Sequence, residues 1–80
     1  QAAYSANVIE IVKDQAILNN ISGSDALYSQ IKANLDLVEK NLPSITDPAL
    51  KADLQSRLQT TKDSYNTAKN KYDINSTYEL

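Results

Sequence analysis

The chain has 80 residues and a formal charge of −2, and it contains no Cys, His, Met, Phe or Trp. Those absences remove thiol nucleophiles, imidazole proton shuttles and the usual zinc ligands. A chain this short buries only about 60% of its unfolded surface, which leaves no room for a substrate cleft beside a core.

The first predicted helix covers residues 2–19. Tyr4, Val8, Ile11 and Leu18 recur at helical spacing, with Gln15 filling the gap, and Ile9, Val12 and Ala16 widen the apolar stripe. The apolar residues fall in adjacent pairs rather than alternating, which favours a helix over a strand. The segment Asn19–Asp25 follows as a break and holds the single glycine, Gly23. Ser22 with Asp25 has capping-box spacing, and Ser24 is an equal candidate for the N-cap.

The second predicted helix covers residues 24–42. Tyr28, Ile31, Leu35, Val38 and Leu42 repeat at three-four spacing, a heptad seam. Pro43 removes a backbone donor and stops it. Asp47 then caps a third helix over residues 48–72, with Pro48 at its first position, where a missing N–H costs nothing. Leu50, Leu54, Leu58, Thr61, Tyr65, Ala68 and Tyr72 hold the longest rhythm in the chain. The expected fold is all-α: an antiparallel up-down-up three-helix bundle over residues 1–74 with a longer third helix, and a frayed tail or linker over 75–80. One Gly and two Pro supply too few turns for an all-β fold.

No catalytic, cofactor or metal site is expected, and the chain is read as a non-enzyme. The carboxylate pairs with same-face spacing, Glu10/Asp14 and Asp36/Glu39, fall on faces read as polar, where solvated charge accounts for them. The stretch Asn19–Asp25 lacks the alternation and closing Glu of a calcium loop. Asn20-Ile21-Ser22 and Asn75-Ser76-Thr77 match the N-glycosylation pattern, as chance allows in a chain rich in Asn and Ser. Acidic and basic residues are interspersed, so no nucleic acid or anionic lipid is expected as partner. No window approaches the ~18–20 apolar residues of a membrane span. The chain opens on Gln1 and reads as a segment of a longer or processed protein.

Residues that could contact a partner are few. Leu37 lies off the second helix's seam and is the sequence's best exposed apolar candidate. Tyr65 and Tyr72, late on the third helix, could stack on carbohydrate or polymer, although tyrosines at helical spacing more often line a bundle core. Lys62, Lys69 and Lys71 form a modest basic cluster diluted by Asp63 and Asp73.

The run from Ile31 to Pro43, IKANLDLVEKNLP, followed by DPALKADLQ from Asp47 to Gln55 and a helix with Tyr and Ala at heptad positions, resembles small α-helical modules of Gram-positive secreted and cell-wall-associated proteins. It is also similar to helical segments of some S-layer proteins. The resemblance spans Ile31 to Tyr72. It implies a spacer or attachment unit of a bacterial surface protein, placed outside the cell or on its wall. The partners it implies are neighbouring domains of the parent chain, with cell-wall polymer or a host protein as the alternative ligand. Because intramolecular packing satisfies all three stripes, the chain is expected to be a monomer.

Overall fold

A computed structural model describes residues 2–20 and 24–79, the last five of these as backbone. It contains α1 (Ala2–Asn19), α2 (Asp25–Asn41) and α3 (Pro48–Glu79), with one 3-10 turn at Leu42–Ser44. Among the described residues there is no strand. The glycine turn at Gly23, the alternative cap Ser22 and most of the Asn20-Ile21-Ser22 match lie outside the described residues.

Local chemistry sets the helix ends. Ser24 is the N-cap of α2: its backbone is extended and its hydroxyl accepts the Leu27 N–H at 3.1 Å. Pro43 converts the end of α2 into the 3-10 turn. Asp47 Oδ1 accepts the N–H groups of Ala49 and Leu50 at 2.9 and 3.2 Å, so both signals that opened the third predicted helix act where they were read.

Side-chain pairs fix the directions. Asn41 donates to Asn7, and Asn34 donates to Asp14. As the α1 number rises the α2 number falls, so these helices are antiparallel. Tyr4 meets Asp53 and Gln15 meets Ser64, both 49 residues apart, so α1 and α3 run parallel in a fixed register. The result is the up-down-up bundle.

Its core is Ile11 and Leu18 from α1, Tyr28, Ile31, Leu35 and Val38 from α2, and Leu54 and Leu58 from α3, closed at one end by Ile45. Ile45 lies between the 3-10 turn and the Asp47 cap, and no periodicity announced it. Two expectations need correction. Ile9 and Val12 do not widen the buried stripe of α1 but stand 61% and 53% exposed. With only two neighbouring helices, α1 is covered along the line through residues 7, 11, 14 and 18, and positions 9, 12 and 16 lie on the far side. The third helix also does not end at residue 72, because α3 continues unbroken to Glu79. No Gly or Pro interrupts it, and Asn, Ser and Thr each cost only about 0.5 kcal/mol relative to Ala, too little to end an established helix.

The molecule is a rod of 49 × 19 × 17 Å. Its length is that of α3, whose 32 residues span about 48 Å at 1.5 Å each.

Candidate functional site

Towards the C-terminal half of α3 the seam delivers Tyr65, Ala68 and Tyr72 against Tyr28 from the first turn of α2. Tyr28 is buried and central. Its ring meets Tyr65 edge-on at 6.0 Å and 71°, and Tyr72 in a tilted stack at 4.9 Å and 38°. Both geometries suit aromatic quadrupoles. Ala68 is small enough for the Tyr28 hydroxyl to reach past it and donate to the Ala68 carbonyl at 3.3 Å. Lys69, one residue on, lays its ammonium over two rings, 5.8 Å from Tyr28 and 5.4 Å from Tyr72. The same ammonium donates to Asp73 at 2.6 Å, and that hydrogen bond raises its pKa above the ordinary lysine value.

Of the residues the sequence singles out, the structure therefore brings together Tyr65, Lys69 and Tyr72, around Tyr28, which the spacing marks as a seam residue. Lys62 lies two turns earlier and bridges α3 to α2 through Glu39 at 2.8 Å. Lys71 is exposed, and two residues from Lys69 on a helix is about 200° away. The three lysines thus do not share one surface, and two of them already face a carboxylate.

Leu37 is remote from this cluster. It is 57% exposed on the rim of a shallow groove between α1 and α2, opposite the face that α3 covers. The groove has a volume of about 490 Å³ and is opened by the small side chains of Ala3 and Ala6. Asn7, Asn34 and Asn41 line it, with Glu10 at its edge.

Beneath that groove runs a polar seam that sequence reasoning missed. Asn7 and Asp14 are buried, Asp14 to 1% exposure. Asn7 donates to the Ala3 carbonyl at 2.6 Å and accepts from Asn41 at 3.2 Å. Asp14 Oδ1 accepts from Asn34 at 3.3 Å, while its Oδ2 has no hydrogen-bond partner among the described residues. Desolvation raises the Asp14 pKa above the ordinary carboxylate range, and the Asn34 hydrogen bond offsets this only partly. The reading of Glu10/Asp14 as a solvated pair is thereby corrected: Asp14 sits on the helix's inner line, where its neighbours exclude water. The available signal was spacing, since residues 4, 7, 11, 14 and 18 repeat the three-four rhythm of α2.

At the other flank, Tyr4 donates to Asp53 Oδ2 at 2.5 Å and Arg57 to the same oxygen at 2.8 Å. The Tyr4 hydrogen bond, then that of Arg57, holds Asp53 below the usual carboxylate range. Asp36 and Glu39 are exposed, as read, and each pairs with a lysine.

Among the described residues no three His, Cys, Asp or Glu side chains gather where they could hold a metal ion, and no helix is long and apolar enough to cross a membrane. Comparison with known protein families, curated proteins and solved structures gives no match.

Proposed function

We propose that the chain is a non-catalytic helical spacer of a secreted bacterial surface protein, a structural module that holds neighbouring domains of its parent chain apart. The carrying observation is the rod itself, 49 Å long and under 20 Å across, with one helix running its whole length. Because α1 and α3 are parallel, Ala2 and Glu79 lie at opposite poles, so copies or neighbours joined through them would follow one another in line. The lack of Cys and the resemblance over Ile31–Tyr72 support the bacterial surface setting, extracellular or on the wall.

Spin labels at Ala49 and Ile74 test the mechanical half of this reading. They are 25 helical residues apart, or about 37 Å. A spacer gives one narrow distance distribution at that value in low and moderate salt. A broad or shorter distribution overturns it.

The second reading is a binding module for cell-wall polymer or a host protein. Leu37 favours it, as a large apolar side chain left exposed beside the α1–α2 groove. On this reading Leu37→Ser leaves the folded state intact and weakens retention on purified Gram-positive walls or on the host protein; retention equal to the parent chain's removes this face from consideration.

A further inference from the structure

We propose that Asp14 is a pH-sensitive latch between α1 and α2: protonated, it lets the two helices close fully, and ionised, it loosens them. The geometry carries the argument. Asp14 stands mid-seam at 1% exposure, yet the one donor it faces is the Asn34 amide at 3.3 Å, a long bond for a carboxylate. Its second oxygen meets no donor among the described residues. The adjacent Gln15 repeats the shortage, with Oε1 buried and also without a donor. An ionised carboxylate can only accept, whereas a protonated one brings its own O–H. Protonation therefore removes the buried charge, and with it the need for donors that the site lacks.

The charges around it do not rescue the ionised form. On its own helix Glu10 repels the carboxylate and Lys13 attracts it, and these are the charges acting on it. From α2 the facing partner is the neutral Asn34; Lys32 and Asp36 pair with each other at the surface, and Glu39 is held by Lys62. From α3, Lys62 is engaged by Glu39, and Asp63 accepts from Gln59 in solvent.

The sign follows from linkage. The folded state binds the Asp14 proton more tightly than the unfolded state, so its penalty is full at neutral pH. The penalty fades as pH falls through the raised value and is gone below the ordinary carboxylate range. Asp53 acts oppositely: its contribution is present above the ordinary range and lost as pH falls below it. The two windows lie on either side of the ordinary Asp value of about 3.9.

The test compares the parent chain with Asp14→Asn, which mimics the neutral acid. Between pH 7 and pH 4 the parent's folding equilibrium constant should rise by up to about tenfold per pH unit inside the window, the limit for one proton. The variant's should stay flat and match or exceed the parent's at pH 7. Amide exchange in α1, corrected for intrinsic rate, should be faster at pH 7 than at pH 4 in the parent and equal in the variant. An equal slope in both proteins overturns the latch. If the variant does not fold, the Asp14 carboxyl carbon is titrated by NMR in the unaltered chain. A midpoint above the ordinary range upholds the proposal, and one within it overturns it.

Discussion

The two seams that α2 makes with its neighbours share one apolar core but differ in what lies beside it. Towards α3 it presents aliphatic and aromatic side chains, with Leu54 and Leu58 on one side and the Tyr28–Tyr65–Tyr72 group near one end. Towards α1 the same helix presents Asn34 and Asn41 to Asp14 and Asn7. Apolar burial is non-directional and stabilises any register that keeps it dry. Paired amides tolerate only the register that satisfies them, the role a lone buried Asn has in coiled coils. The contrast assigns alignment to the α1 side, while the α3 side is held by apolar burial.

Three variants would break or sharpen that division. Leu54→Ala strikes the α3 side at a fully buried position. A loss of about 2–5 kcal/mol is expected, much of the stability of a domain this size. An unfolding free energy, from urea titration, lowered by less than about 1 kcal/mol would mean that the core is not concentrated there. Replacing Asn7 and Asn41 together by Leu should have the opposite character. Stability stays level or rises by up to about 2 kcal/mol, because a buried amide and its half-buried partner need no longer be satisfied. The cost should instead appear as lost uniqueness, seen as broadened or doubled amide resonances for α1. Sharp single resonances would show that alignment does not depend on this pair. The smallest effect belongs to Tyr28→Phe, which keeps the ring contacts and removes only the bond to the Ala68 carbonyl. It should cost about 0.5–1.5 kcal/mol, and a larger loss would mean that the hydroxyl organises the aromatic group.

The same contrast explains what the sequence disclosed. The seams of α2 and α3 were legible because Leu, Ile, Val and Tyr occupy them, and Ser24, Asp47 and Pro48 marked helix starts through capping chemistry that needs no tertiary context. The inner line of α1 is hidden because Asn7 and Asp14 break a hydrophobic pattern without breaking its spacing, while Ile9 and Val12 beside it widen the apparent stripe. Periodicity senses side-chain type, whereas burial is decided by which neighbours arrive. Ile45 escaped for a related reason, since a single residue between two helices has no period. In the candidate surface, Tyr65, Lys69 and Tyr72 were found but Tyr28 was not placed among them. Their meeting depends on the relative register of two helices, and no single helix encodes that.

The parallel pairing of α1 and α3 also decides how the module would bear load. Tension applied between Ala2 and Glu79 pulls α1 towards one pole and α3 towards the other, along the axis of their contact. The helices would be sheared past each other rather than peeled apart. Tyr4 with Asp53 and Gln15 with Ser64, set at one common offset, would resist together instead of failing in succession. Pulled instead from the two ends of α2, the same contacts would be spared, so resistance to force should depend on the direction from which the rod is held.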